Sequence, residues 1–203
     1  TRRDTTRTLV FALLRARPWR LLWVIAPLFR LVWGGKAQQT QRAKDLCVGT
    51  LLKGLSFEQM RPIFQRYRHA VLPLVYSELY TLIRDRVAAG QKVLVVTASA
   101  EHAVSRALEE FPVTVLGTRF EYGFGRFTGA VEGEGCFGPA KVQRIREWAD
   151  TQATPPQFIE AWSDSLSDLP MMELAQRRIW VCRDEDQAKF REQDPEGEIF
   201  LVL

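Results

Sequence analysis

The sequence predicts an α/β fold, a mostly parallel sheet covered by helices on both faces, with a helical region ahead of it. Three observations predict it. From Pro73 onward, short apolar runs alternate with helical periodicity, the pattern of strands joined by crossover helices. The run Val93-Leu94-Val95-Val96 is apolar at four consecutive positions, as in a strand buried on both faces. Residues 1 to about 75, by contrast, carry helical patterns throughout. At 203 residues and 46% hydrophobic content, the chain can bury a sizeable core, as one domain or as a core with a small cap.

Along the chain, the first elements are helical. Residues 9–33 are rich in Leu, Val, Trp and Arg, and Pro18 and Pro27 divide them into short helices, a helical hairpin. Gly34-Gly35 separates them from a second helix over 38–52. Ser56, with Gln59 three residues on, marks the cap of a third helix running to about His69. The alternating part then reads helix 76–89, strand 92–97, helix 100–111, strand 113–118 and a hairpin over 118–129. Helix 139–149, strand 158–162, helix 166–175 and strand 178–182 complete it. The acidic stretch 184–198 reads as a solvated helix and loop, and 199–203 as an edge strand. The domain division is therefore 1–75, a helical cap, and 76–203, the α/β core.

Charge is uneven along the chain. The net charge is +4. Residues 1–44 hold eight Arg and two Lys against Asp4 alone, giving +9, so the remainder carries −5. Such asymmetry points to a polyanionic partner for the basic part. Its longest uncharged run, 21–29, is far shorter than the ~20 residues that span a bilayer. Trp19, Trp23 and Trp33 among Leu, Val and Arg have the composition of segments that lie in a membrane interface. Nucleic acid is excluded, because a phosphate-binding patch has no use for so much aliphatic bulk. Two other readings stay open, a cap packed inward with Trp in its core, and a protein partner. Cys47, Cys136 and Cys182 are widely spaced and odd in number, which gives neither a disulfide framework nor a zinc pattern and favours a reducing compartment.

Three signals carry chemistry. The strand at 92–97 ends in Thr97 and Ser99 just ahead of a helix, where hydroxyls beside free amides make a phosphate cradle, or simply an N-cap. Gly138-Pro139 opens a helix with Lys141 in its first turn, an electrostatically odd place for a cation unless it serves an anion. An apolar run from Phe158 to Trp162 delivers Asp164 and Asp168 past the carboxyl end of a strand, where open α/β sheets hold their ligands. Hard carboxylate oxygens suit Mg²⁺. The same Asp-x-x-x-Asp spacing also serves to cap a helix.

Hydroxyl after strand, lysine opening a helix, then paired aspartates: this order and spacing resemble the haloacid dehalogenase superfamily of phosphohydrolases over nearly the whole chain. The resemblance matches Thr97 to the second motif, Lys141 to the third, and Asp164 with Asp168 to the fourth. Thr118 to Gly129 resembles the β-hairpin of the phosphoserine-phosphatase-like branch, which also inserts a helical cap where residues 1–75 lie. Thr at 97, Cys136 and Gly138 ahead of the lysine, and Ser163 before the first aspartate resemble phosphatidylglycerophosphatase C within that branch. The first motif, Asp-x-Asp-Gly-Thr, does not occur in this sequence, and Thr1-Arg2-Arg3-Asp4-Thr5 resembles the stretch that family members carry directly after that motif. The expectation is a chain cut just after its nucleophile, inactive as it stands, with a three-layer Rossmann-like core lacking its first strand.

The resemblance implies phosphomonoester hydrolysis through an aspartyl-phosphate. Thr97 would donate to a phosphoryl oxygen and Lys141 would stabilise charge there. Asp164 and Asp168 would serve Mg²⁺, with Asp168 ordering Lys141 or a metal-bound water. Arg2, Arg3, Asp4, Ser99 and Arg119 are the candidate substrate contacts; Arg126, His102 and His69 have less to recommend them. The expected substrate is phosphatidylglycerophosphate at an anionic membrane surface, the enzyme lying peripherally on the inner face of the cytoplasmic membrane. The alternatives are a soluble small-metabolite phosphatase and a non-catalytic, membrane-peripheral binding module.

Overall fold

The computed structural model describes residues 5–25 and 37–202. Arg2, Arg3, Asp4, Pro27, Trp33 and the Gly34-Gly35 junction lie outside the described residues. Packing divides the chain into two compact units, 1–136 and 137–203.

The first unit begins with α1 (Thr5–Ala16), whose Leu9 and Leu13, one turn apart, are fully buried. Pro18 ends its continuity, and a 3₁₀ turn (Pro18–Arg20) leads into helical residues 21–25. Then come α2 (Ala37–Leu52), α3 (Phe57–Val71) and α4 (Ser77–Ala88). The capping box at the start of α3 is formed: Gln59 N donates to Ser56 Oγ at 3.3 Å and Ser56 N to Gln59 Oε1 at 3.0 Å. Strand β1 (Leu94–Ala100), α5 (Glu101–Ala107) and β2 (Thr114–Thr118) make a parallel pair with its crossover. Strands β3 (Phe120–Gly123) and β4 (Arg126–Val131) form the hairpin.

Two details differ from the sequence reading. Strand β1 continues past Thr97 to Ala100, with a register shift that sets three residues, 97–99, against Gly117. A Cβ on Gly117 would meet Ser99 O at 2.9 Å, so this close approach needs glycine. Helix α5 stops at Ala107 rather than 111, and residues 108–111 run on as a turn closed by Phe111 N to Leu108 O at 2.8 Å, ahead of Pro112.

The domain division also moves. One core joins Leu9, Leu13 and Val24 to Val48 and Leu51 of α2, Met60, Phe64 and Tyr67 of α3, Ala103 and Ala107 of α5, and Phe120 and Phe127 of the hairpin. The hairpin is tied to the helical region through its backbone as well, Gly54 N to Phe127 O at 2.8 Å and Phe127 N to Leu55 O at 2.9 Å. A boundary at 75 would cut this shared core, which is why the unit runs to Cys136.

The second unit holds α6 (Pro139–Asp150), β5 (Glu160–Ser163), a 3₁₀ turn (Leu166–Asp168), the one-turn α7 (Leu169–Met172), β6 (Arg177–Cys182), α8 (Gln187–Gln193) and β7 (Glu198–Leu201). Its three strands are parallel in the order β5-β6-β7, leaving β7 as an edge strand. The helix expected over 166–175 is thus two short turns, since Pro170 supplies no amide to a longer ladder. Trp180, fully buried, centres this unit's core with Met172, Cys182 and Phe190. All three cysteines are buried and unbridged. The fold is the α/β arrangement that the alternation of elements predicted.

Candidate functional site

In each unit a polar cluster holds the residues singled out by the sequence. In the first, Thr97 is half-buried and its hydroxyl accepts from Ser99 N at 3.1 Å, which leaves the hydroxyl proton to be donated. Ser99 is buried, and its Oγ lies 2.8 Å from Thr5 Oγ1 and 2.9 Å from Thr6 Oγ1 in the first turn of α1. Neither hydroxyl caps α5, whose N-cap position is Ala100. Arg119 is occupied: its Nε donates to Glu101 Oε1 at 3.0 Å, while Glu101 Oε2 accepts from Gly117 N at 2.9 Å. Arg126 donates to Gly54 O at 2.8 Å, tying the hairpin to the turn before α3. His102 sits against the rings of Phe57 and Phe127, and burial lowers its pKa. His69 is exposed near the end of α3.

Sequence reasoning missed Asp45. This half-buried carboxylate of α2 accepts from Gln41 Nε2 at 2.9 Å, and the same amide reaches Ala98 O on β1 at 3.3 Å. Burial is the main cause that pushes its pKa up to about 6, against a smaller lowering by the Gln41 hydrogen bond. A lone acid followed by Leu46-Cys47-Val48, four residues after an amide on the same helix face, is the signal that would have found it.

In the second unit, Gly138 opens α6 with φ +54° and ψ −128°, a conformation open to glycine and costly for other residues. That turn sets Lys141 in the first helical turn, with only 6% of its surface exposed. Its ammonium donates to Asp168 Oδ1 at 2.7 Å, and Ser163 Oγ donates to Asp168 Oδ2 at 2.7 Å. Ser165 N in turn donates to Ser163 Oγ at 3.1 Å, locking the loop after β5. The cation out of place at a helix start is therefore answered by a buried carboxylate. Asp168 has both oxygens committed to Lys141 and Ser163. Asp164, the first residue beyond β5, is exposed. Among the described residues no three His, Cys, Asp or Glu side chains gather as a metal cage. A single exposed carboxylate still fits Mg²⁺, which is usually held by one or two carboxylates, waters and substrate phosphate. The cluster offers a buried, preorganised cation and a hard anionic donor on adjoining turns, a combination suited to an anionic substrate.

Comparison with known proteins adds the context. A family model described as haloacid dehalogenase-like hydrolase matches residues 1–173. The Mycobacterium tuberculosis protein named "Probable phosphatase Rv3661" is 36% identical over 122 residues, 59% of this chain and 42% of that protein. "Phosphoserine phosphatase SerB1" of the same species is 28% identical over 152 residues, 71% of this chain and 49% of that protein. The chain thus spans about half the length, or less, of these relatives. Among solved structures, a Bordetella pertussis protein of unknown function has the same fold, with a TM-score of 0.77 at 23% identity over 97% of this chain and 91% of that one.

Proposed function

The chain belongs to the haloacid dehalogenase-like hydrolases, and on that premise we propose that it serves the Mg²⁺-assisted hydrolysis of phosphomonoesters. The observation that carries this reading is the buried Lys141–Asp168 pair at the end of β5, beside the exposed carboxylate of Asp164. In such a reaction an aspartate carboxylate would displace the alcohol from phosphorus while a general acid protonates the leaving oxygen; the same group, now a base, would take a proton from the water that releases inorganic phosphate and restores the carboxylate. The sequence contains no Asp-x-Asp-Gly-Thr run, so that aspartate is assigned to no residue of this chain, which spans about half the length, or less, of its curated relatives. Mg²⁺ would be held in part by Asp164 and would neutralise charge on the phosphoryl oxygens.

The chain's own residues do the rest. Lys141, ordered by Asp168, stabilises negative charge that grows as the phosphoryl group is transferred. Ser163 fixes the second oxygen of Asp168 and so the direction of the lysine. Thr97, in the first unit, keeps a hydroxyl proton, and the family resemblance gives that hydroxyl the role of a hydrogen-bond donor to phosphate. Similarity to a relative named phosphoserine phosphatase favours a small phosphomonoester as substrate. The basic, apolar segment near the start of the chain favours instead a lipid phosphate such as phosphatidylglycerophosphate.

Release of inorganic phosphate by the full-length gene product, with and without Mg²⁺, tests the chemistry. Phosphoserine and phosphatidylglycerophosphate as paired substrates separate the two classes. Asp164→Asn is expected to lower turnover by several orders of magnitude. Near-normal Mg²⁺-dependent activity in that variant would refute the metal role.

A further inference from the structure

We propose that the outer face of residues 11–25 docks on an anionic lipid bilayer and lies in its interface. The inference rests on this segment's two faces and not on the phosphatase reading. Its inner face is complete: Leu9, Leu13 and Val24 are fully buried in the core of the first unit. The outer face nonetheless carries large apolar side chains between its arginines. Phe11, Trp19, Leu22 and Trp23 are 64–76% exposed, and Ile25 is 52% exposed. A helical segment with large apolar side chains on both sides, one side already packed, has a second apolar surface to cover.

Charge selects the occupant. Residues 5–25 contain Arg7, Arg15, Arg17 and Arg20 and no acid, and Arg7 and Arg15 are exposed. Residues 1–44 carry +9 while the remainder carries −5, so the attraction of an anionic surface falls on this segment. A second copy of the chain would bring its own positive segment against this one, which opposes self-association through this face. Among the described residues no helix is long and apolar enough to cross a membrane, so the contact is interfacial. Tryptophans flanked by arginines suit that depth, where an indole keeps its ring in the headgroup region and its N–H wet.

The face is also built before it meets lipid. Arg17 Nη1 donates to Leu51 O at 3.4 Å and to Lys53 O at 3.0 Å, and Arg20 Nη1 to Thr50 O, all at the carboxyl end of α2. Cations on the last carbonyls of a helix are favourable there, and these two hold the Pro18–Arg20 turn in place. Arg17 and Arg20 thus anchor the segment, and Arg7 and Arg15 face outward.

Co-sedimentation of the chain with vesicles tests this directly. Binding is expected to vesicles of equal phosphatidylglycerol and phosphatidylcholine, at least tenfold stronger than to phosphatidylcholine alone, and weaker at high salt. Replacing Trp19 and Trp23 with Ala is expected to reduce binding at least tenfold, with an unchanged thermal melt because both side chains are exposed. Phe124, fully exposed at the hairpin tip, is the control, and Phe124→Ala is expected to leave binding unchanged. Equal binding to neutral and anionic vesicles would overturn the proposal. So would absence of binding, concentration-dependent dimerisation through Trp19 and Trp23, or an equal loss in Phe124→Ala.

Discussion

In the second unit two buried carboxylates, Asp194 and Asp168, each pair with a cation, and the two pairs are built for different ends. Asp194, 5% exposed, receives both arms of the Arg178 fork at 2.8 Å and Trp180 Nε1 at 2.9 Å. Those bonds, with Arg178 foremost, hold its carboxyl below the usual range. A planar guanidinium with both arms engaged is fixed in place, and the pair joins β6 to the loop after α8. Lys141 is as deeply buried, yet among the described residues its ammonium meets one carboxylate, that of Asp168. An ammonium carries three donors. The first pair is a rigid fork that also reaches Glu196 at 3.3 Å, whereas the second is a single bond from an ammonium that can turn toward another acceptor. What separates them is geometry: Arg178 is held bidentately by Asp194, whereas the Lys141 ammonium is held at a single point by Asp168.

The largest effect should come from breaking the forked pair. Asp194→Ala leaves Arg178 and Trp180 without their common acceptor and is expected to cost about 3–5 kcal/mol in denaturant unfolding. A loss below about 1 kcal/mol would mean that water replaces the carboxylate and that the pair is not structural. Lys141→Met should divide the two roles. Stability falls by about 2 kcal/mol as Asp168 loses a partner, while phosphate release by the full-length protein falls about 10²–10³-fold. Unchanged turnover would put Lys141 in the same structural class as Arg178.

Titration extends the comparison to Asp45 in the first unit, with the opposite sign. The pKa of Asp194 is lowered on folding, so its contribution is present at neutral pH and is lost on acidification below about pH 4. Asp45 is raised to about 6, so the folded chain loses stability as pH rises from about 4 through 6. The difference is worth at most about 3 kcal/mol. Asp45→Asn should flatten the alkaline side of that profile in thermal melts across pH 4–8, and an unchanged profile would remove Asp45 as its cause. The smallest effect is expected from Ser163→Ala, about 1 kcal/mol for the lost bond to Asp168. If its turnover falls more than stability requires, Ser163 is confirmed as the group that aims Lys141.

Much of this was legible in the chain. Strong periodicity gave α2, α3 and α6 nearly to the residue, and the box at Ser56 formed as its spacing required. Less legible was whatever depends on partners distant in sequence. The extension of β1 to Ala100 depends on Gly117 giving room across the pair, which no local pattern around Thr97 reveals. Ser99 reads locally as a cap and in fact meets Thr5 and Thr6, 94 and 93 residues away. Arg119 reads as a free cation until Glu101 is seen beside it. Lys141 was conspicuous because it violated a local electrostatic preference, whereas Asp45 violated none that a composition count detects.

Helix α2 has a mechanical consequence. At 16 residues it is about 24 Å long. Its carboxyl end is held by Arg17 and Arg20, and near its other end Gln41 reaches the carbonyl of Ala98 while bonding Asp45 one turn along. A hydrogen-bonded rod resists bending far more than the turns that flank it. Force applied to the outer segment is thus carried along α2 to Gln41 and the strand it touches, much as a pushrod carries motion from one end of an engine to a valve at the other.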